Sequence, residues 1–188
     1  MSGNDLRERY FEAAQEILAT EGYGGLKLAA VCKRLKVTTG AFYHAFSSWN
    51  EFTTALLDNW RRQRTTLIIE VAKAPDPVVQ LQSLLAATVE LQHGTEAAIR
   101  VWAAVDPEVA KVQAEVDRDR YEIVLDAMQR LVGKKEAPLY ANWGLNILVG
   151  FEAVGDHRTD ELAWQLGQVL ELALARSEKR KRSRRRTA

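Results

Sequence analysis

The sequence predicts an all-α fold of about nine helices, and three observations support it. Apolar residues recur three and four positions apart through most of the 188 residues, as they do along one face of a helix. No stretch alternates apolar and polar residues in the way a half-buried strand does. Helix-starting residues at Asp76-Pro77, Asp106-Pro107 and Pro138 divide the chain after residue 75 into separate helices.

The helices can be placed in chain order from these marks. The first runs from about Asp5 to Glu21 and ends at Gly22, since glycine readily takes the left-handed conformation found after a helix. Two short helices follow, and then a long one from Trp49 to about Lys73. The others are predicted at about residues 78–92, 95–104, 107–132, 138–154 and 159–177. We therefore expect a three-helix head at 1–48, a larger helical body at 49–177 and a disordered basic tail at 178–188.

The two short helices have the pattern of a helix-turn-helix. The apolar face of the first consists of Leu28, Val31, Cys32 and Leu35. Lys36-Val37-Thr38 interrupts this period, and Thr38 is a suitable N-cap for a second helix from Thr39 to about Ala45. That helix turns Phe42 and Phe46 inward and leaves Thr39, Gly40, Tyr43 and His44 on its outer surface. Such a second helix can enter a DNA major groove, although two ordinary packed helices explain the periodicity equally well.

The composition excludes several classes of protein. A single cysteine, Cys32, rules out an internal disulfide and fits a reducing cytoplasm, and we expect it to be a small core residue. No apolar signal segment or membrane-spanning run is present, so we expect a cytoplasmic protein. The three histidines, His44, His93 and His157, are far apart, and we expect the last two on the surface. With neither a metal-spaced cluster nor a nucleophile motif, the sequence predicts no enzyme and no cofactor.

The net charge of +1 conceals a strong segregation of charge along the chain. Residues 176–188 contain eight Lys or Arg residues and one acid, whereas residues 65–175 are strongly acidic and residues 1–64 mildly basic. A basic head on an acidic body suits a protein that places only its head on DNA, although an acidic surface also serves solubility alone. The basic tail can attract phosphates, bind other polyanions or keep the protein soluble.

About forty residues from Ala13 to Phe52 resemble the N-terminal domain of the TetR family of bacterial transcriptional regulators. The matching residues are Ala14, Ile17, Leu18, Glu21-Gly22-Tyr23, Val31-Cys32, Val37-Thr38-Thr39-Gly40-Ala41-Phe42-Tyr43 and Phe46-Ser47-Ser48. The resemblance implies a cytoplasmic homodimer that binds a palindromic double-stranded DNA operator. It also implies repression that a small apolar or amphipathic ligand relieves.

Three positions depart from the family pattern. Lys27 stands where a threonine often opens the first helix of the motif, and the histidine of the pattern falls on Ala45, one place after His44. Trp49 replaces a lysine that usually contacts a phosphate, although an indole N–H can also donate to a phosphate oxygen. The residues that we expect at the DNA are Lys27, Lys36, Thr38, Thr39, Gly40, Ala41, Tyr43, His44 and Trp49. Of these, Thr39, Gly40 and Ala41 would approach base edges, and Tyr43 and the basic residues would hold phosphates.

Arg7 and Arg9, near the start of the first helix, are further candidates for phosphate contacts, or simply exposed helix charges. The resemblance also implies a dimer interface in the last two helices. Its expected residues are Leu139, Ile147, Phe151, Val154, Leu162, Leu166, Val169 and Leu170, which burial within one subunit would explain as well. A ligand pocket is expected among Trp60, Leu84, Leu91, Trp102, Tyr121, Leu125, Met128, Trp143 and Asn146, each of which also suits a hydrophobic core.

Two other functions remain open from the sequence. One is a DNA-binding dimer without a small-molecule inducer, whose body serves for dimerisation only. The other is a helical interaction module that has lost DNA binding, which the replacement of the family lysine by Trp49 favours.

Overall fold

The computed structural model describes residues 3–155 and 158–187, and the prediction of an all-α fold is confirmed there. The described residues form nine α-helices and no strand, with a short 3-10 turn at Tyr23–Gly25 between the first two helices. The helices are α1 Gly3–Glu21, α2 Leu28–Leu35, α3 Thr39–Ala45, α4 Trp49–Ala72, α5 Pro77–Val89, α6 His93–Ala103, α7 Pro107–Val132, α8 Ala137–Val154 and α9 Thr159–Thr187. In this range no helix is long and apolar enough to cross a membrane.

The predicted punctuation residues act as helix caps. Asp76 accepts hydrogen bonds from the backbone N–H groups of Val78 and Val79 at 2.7 and 3.2 Å, and Pro77 opens α5. Asp106 accepts from the N–H of Glu108 at 3.0 Å in the same way at the start of α7. These caps are local hydrogen bonds between near neighbours in sequence, which is why the sequence alone reveals them.

The prediction of a disordered tail at residues 178–188 is wrong for the residues that the structure describes. Helix α9 continues to Thr187, and only Ala188 lies outside the described range. Lysine and arginine are good helix formers, so a basic composition does not by itself end a helix. The extension also contacts the rest of the chain, because the Arg180 guanidinium lies against Gly133.

The chain divides into two compact units, and the first is larger than the predicted head. It consists of residues 1–64 with 92–114, and the second of residues 65–91 with 115–188. The first two thirds of α4, residues 49–64, belong to the first unit, and Phe52, Leu56 and Trp60 are buried there. The compact units therefore divide within α4 and α7, whereas the sequence placed a boundary between residues 48 and 49.

In the first unit, α6 packs closely on α1. A Cβ atom added to Gly94 would lie 2.5 Å from the carbonyl oxygen of Ala19, so the two backbones touch where only glycine fits. Next to it, the Thr95 hydroxyl donates to the Gln15 carbonyl at 3.1 Å. His93, expected on the surface, is instead buried at the start of α6 because of this packing, while His157 lies outside the described residues.

A buried carboxylate joins α4 to α6 in the same unit. Glu96 is almost fully buried and accepts from Trp60 Nε1 at 2.8 Å and from Arg64 Nε at 2.7 Å. A buried carboxylate is tolerated only when it is paired and hydrogen-bonded, so these two donors compensate for its loss of water.

The second unit has its core between α5, α7, α8 and α9. Its buried members are Leu81, Ala127, Met128, Leu131, Val132, Ala137, Val169, Leu170 and Ala173. Three of the predicted dimer-interface residues, Leu162, Val169 and Leu170, are therefore buried within their own chain and have no surface to offer a second subunit. Their periodicity reflects packing inside the subunit.

We predict that Gly94→Ala destabilises the chain by about 1–3 kcal/mol, because its methyl group must push α6 away from the α1 backbone. Thermal or urea unfolding measures this change. Gly24→Ala is the matched control, since a Cβ atom there would meet nothing within 4 Å. Equal stability of the two variants would contradict the close approach of α6 to α1.

Candidate nucleic-acid interface

The turn between α2 and α3 has the geometry that a helix-turn-helix requires. Lys36 takes the left-handed conformation, with φ of 56°, and ends α2. Thr38 is the N-cap of α3, as predicted, and its hydroxyl accepts a hydrogen bond from the Ala41 N–H at 3.2 Å. The chain thus reverses in three residues and starts a second short helix directly.

Aromatic side chains fix the orientation of α3. Phe42 and Phe46 are fully buried, as predicted, and each lies edge-on to Tyr10 of α1 with ring centroids 5.6 and 5.5 Å apart. Phe52 of α4 packs edge-on against both, at 5.4 and 5.0 Å. We call Tyr10, Phe42, Phe46 and Phe52 the aromatic cluster. It holds one face of α3 against α1 and α4, so the opposite face must point outward.

That outward face carries the predicted recognition residues. Thr39, Gly40, Tyr43 and His44 are all exposed, and Tyr43 exposes 52% of its surface although it is aromatic. Ala41 is half-buried beside them, and α3 contains no acidic residue. The structure thus brings these side chains together on one accessible surface.

Gly40 is not required by the fold. A Cβ atom at this position would meet only the Thr38 hydroxyl, at an ordinary contact distance of 3.7 Å. Alanine favours helix over glycine by up to about 1 kcal/mol, so the chain gains no stability from glycine here. The missing side chain leaves room for a molecule that approaches α3 from outside.

Lys27 and Lys36 mark the two ends of α2, and neither is the residue that the backbone favours. Lys27 is the N-cap of α2 but makes no side-chain capping bond, whereas serine or threonine would satisfy an amide there. Lys36 is the one described non-glycine residue with positive φ, a conformation that costs about 1–2 kcal/mol outside glycine. Both side chains are exposed, which places positive charge beside the turn.

The start of α4 contains an arrangement that our sequence analysis missed. Ser48 accepts a hydrogen bond from the Glu51 N–H at 3.0 Å, while the Glu51 carboxylate accepts from the N–H and hydroxyl of Ser47 at 2.6 and 2.7 Å. Those Ser47 bonds, and then Arg7, hold the pKa of Glu51 below its usual value. The Ser-x-x-Glu spacing of a capping box was the available signal.

Arg7 and Trp49 also make side-chain contacts at the start of α4. Arg7 donates to Glu51 at 3.0 Å and its guanidinium lies 4.4 Å from the centre of the Phe46 ring, so it helps to join α1 to α4. Trp49 is half-buried, with its ring centroid 5.1 Å from that of Phe52 and 6.0 Å from that of Phe42. Its ring therefore extends the aromatic cluster toward the surface.

The predicted pocket residues are divided between the two compact units. Trp60 and Trp102 belong to the first unit, where Trp60 binds Glu96 and Trp102 stacks on Tyr23 with centroids 5.1 Å apart. The other predicted pocket residues belong to the second unit. Met128 lies in its core with Leu84 and Leu125 packed against it, Leu91 and Tyr121 are half-buried, and Trp143 and Asn146 are exposed on α8. Periodicity alone could not show which of these residues are buried, half-buried or exposed.

Comparison with known proteins agrees with this geometry. Residues 11–56 match the model of the bacterial regulatory proteins of the tetR family. A comparison with curated proteins found no match. Among described residues, His, Cys, Asp and Glu side chains form no group of three that would hold a metal ion.

Solved structures of regulators share the fold over most of the chain. A transcriptional regulator from Rhodococcus sp. Rha1 is 24% identical with a TM-score of 0.69, and covers 88% of this chain and 96% of its own. A TetR-family transcriptional regulator from Streptomyces coelicolor is 15% identical with a TM-score of 0.71, and the match covers 91% of this chain and 97% of that one. A putative transcriptional regulator from Saccharomonospora viridis, solved in complex with choline, is 14% identical with a TM-score of 0.73. The match covers 89% of this chain and 96% of that one. The family model thus matches the region of the helix-turn-helix, and the solved regulator structures share the fold over most of the chain.

Proposed function

We propose that the protein is a transcriptional repressor that acts in the cytoplasm as a homodimer and binds a palindromic DNA operator through residues 1–48. A small apolar or amphipathic molecule, bound by the remaining helices, would release it from the operator. The observation that supports DNA binding best is the outward face of α3, which the aromatic cluster holds rigidly in an exposed position. A second helix fixed in this way can lie in a major groove.

The side chains around this face suggest separate roles. Thr39, Gly40 and Ala41 open α3, where small residues let base edges approach closely. Tyr43, His44, Lys36 and Lys27 lie exposed around them and are proposed to hold phosphates, together with Thr38 and the edge of Trp49. Arg7, by contrast, is already paired with Glu51, so we do not assign it to a phosphate.

Substitutions on α3 should separate these roles. We predict that Gly40→Ala keeps or raises Tm yet weakens operator binding about tenfold or more, because a methyl group then occupies the space that a base edge needs. Thr39→Ala should change sequence preference, whereas Tyr43→Phe should weaken binding to all sequences alike, since it removes only a phosphate donor. Fluorescence anisotropy with the promoter duplex and a randomised operator library measures both effects.

Gly24→Ala is the control for these variants, because Gly24 is exposed and lies in the turn after α1. Wild-type affinity of Gly40→Ala would rule out close approach at Gly40. Identical behaviour of the Thr39 and Tyr43 variants would contradict the division of roles. If neither wild type nor Gly24→Ala binds any duplex, the protein is instead a helical interaction module.

The exposed apolar surface of α8 and α9 supports a dimer interface. Leu139 and Val154 expose 69% and 77% of their surfaces at the two ends of α8, and Trp143 is exposed between them. On α9, Trp164 (67% exposed) and Leu172 are also exposed apolar residues. Ile147, Phe151 and Leu166 are half-buried and remain proposed members. Such surface is unfavourable in water and commonly covered by a partner.

We predict that Trp164→Glu converts the dimer to a monomer, because an isologous contact brings the new carboxylates close together across the two-fold axis in an apolar surrounding. Analytical ultracentrifugation measures the change, and operator affinity should fall with it. Val101→Glu is the control, since Val101 is equally an exposed apolar residue but lies on α6. An unchanged dimer in Trp164→Glu would place the interface elsewhere.

Two observations support a small-molecule ligand. The S. viridis protein, which shares the fold, holds choline, a small amphipathic cation. In this chain the side chain of Gln113 on α7 is only 6% exposed, and neither of its polar atoms has a hydrogen-bond partner among the described residues. An unsatisfied buried amide costs about 1–3 kcal/mol, so a ligand or water that bonds to it is favoured. We propose that Gln113 binds the polar end of the inducer.

We predict that Gln113→Leu raises Tm, because it removes an unpaired amide, and abolishes the response to ligand. The response is measured with choline and a series of alkyl-trimethylammonium ions, as the rise in Tm and as release of the promoter duplex. Gln129→Leu, half-buried on the same helix, is the control and should respond like wild type. A ligand response that survives in Gln113→Leu would remove Gln113 from the site. If no compound acts on wild type, the alternative of a regulator without an inducer is favoured.

A further inference from the structure

A strongly basic cleft lies in the second unit, and none of its lining residues is among those assigned above to DNA, dimer or ligand. Its volume is about 560 Å³, and the turn between α7 and α8 forms one wall and the last third of α9 the other. The lining residues are Val132, Gly133, Lys134, Lys135, Glu136, Arg176, Lys179, Arg180 and Ser183. Five of these nine side chains are cationic and one is anionic.

The cleft is built by specific contacts. Gly133 ends α7 with φ of +92°, and a Cβ atom added there would lie 2.6 Å from Arg180 Nη1. The Arg180 guanidinium therefore lies directly on the turn, where glycine leaves space for it. On the other side Arg176 Nε donates to Glu136 Oε2 at 2.6 Å. Arg176 first, and then Lys135 and Arg180, lower the pKa of Glu136, so this carboxylate stays charged at neutral pH.

Most of the positive charge in the cleft is uncompensated. Glu136 neutralises Arg176, whereas Lys134, Lys135, Lys179 and Arg180 form no ion pair with any described residue. Four like charges around one cleft repel each other, so a bound anion that neutralises them is favoured. The cations continue beyond the cleft with Lys181 and Arg182, which are exposed, and the sequence adds Arg184, Arg185 and Arg186.

The form of this surface indicates which anion it suits. The described cations of α9, from Arg176 to Arg182, extend over about 9 Å of helix. Lys134 and Lys135 lie on the opposite wall of the cleft, so the positive charge extends over more than one phosphate of a strand. None of the nine lining residues is aromatic, so the cleft offers no ring on which an unpaired base can stack. Residues 176–187 include no apolar side chain that could anchor in a lipid surface. A DNA duplex presents a line of phosphates and keeps its bases inside.

We propose that this cleft and the basic end of α9 form a second DNA-binding surface, which holds duplex backbone without regard to sequence. Its contribution is independent of the helix-turn-helix, because no residue of the first unit takes part in it. Each cation that neutralises a phosphate releases a counterion from the DNA. Removing cations from the cleft should therefore make DNA affinity less dependent on salt concentration.

The test uses the full chain and a labelled duplex without operator sequence, with affinity measured by anisotropy at several salt concentrations. In Lys134→Gln/Lys179→Gln the slope of log K against log salt should become shallower by about 2, and low-salt affinity should fall about tenfold. The control, Lys73→Gln/Lys111→Gln, removes the same charge from two exposed lysines that pair with Glu70 and Glu108, each three residues earlier in the chain. It should bind like wild type.

A variant that should bind DNA more tightly gives an independent test, because misfolding would not increase affinity. Glu136→Gln removes the one carboxylate of the cleft and leaves Arg176 available for a phosphate, so the slope should steepen by about 1 and affinity should rise. Because the duplex lacks an operator, these results stand whether or not the helix-turn-helix recognises a specific sequence.

Four outcomes would overturn the proposal. Equal loss in the cleft and control variants would mean that net charge alone acts, and no change in either would mean that the cleft does not touch DNA. Tighter binding of an oligo-dT single strand than of the duplex would indicate a single-strand site. Binding of anionic phosphatidylserine vesicles without binding of the duplex would assign the surface to lipid.

Discussion

The edge-to-face packing of the aromatic cluster is the interaction on which the helix-turn-helix depends. Helix α3 has only seven residues, and a helix of that length is unstable in water by itself. Phe42 and Phe46 give it tertiary contacts with α1 through Tyr10 and with α4 through Phe52. Because two adjacent turns of α3 are fixed at once, the helix can neither roll nor slide without separating the rings, and its outward side chains keep one orientation.

The residues around this fixed helix depart from local preference in a consistent direction. Lys27 occupies a capping position without capping, Lys36 takes a backbone conformation that favours glycine, and Gly40 weakens a helix that has room for alanine. Each departure lowers stability a little, and each leaves either a positive charge or open space beside the outward face of α3. Strain and poor propensity of this kind concentrate where function outweighs stability, which is why we propose this face for DNA.

Those features of the fold that depend on near neighbours could be predicted from the sequence, whereas those that depend on distant contacts could not. The helices of the described residues, the Asp76 and Asp106 caps and the inward Phe42 and Phe46 follow from spacing and capping chemistry. Burial of Leu162, Val169 and Leu170 and exposure of Trp143 and Trp164 do not, since a helix with several apolar faces gives no sign of which one meets its own core. The helical end of α9 was missed because composition favoured disorder, while Arg176 and Arg180 attach it to a turn some forty residues earlier.

The set of helices that make up the first unit suggests how ligand binding would affect the helix-turn-helix. Helix α6 and the first turns of α7, with Gln113, belong to the same compact unit as α1 to α3. Gly94 brings the α6 backbone into contact with α1, and Thr95 adds a hydrogen bond to the Gln15 carbonyl. Glu96, on the next residue, holds α4 through Trp60 and Arg64. Three successive residues of α6 therefore contact both helices that support α3. Since close-packed elements transmit displacement with little slack, a ligand that shifts α6 would move α1 and α4 together and change the orientation of α3 toward DNA.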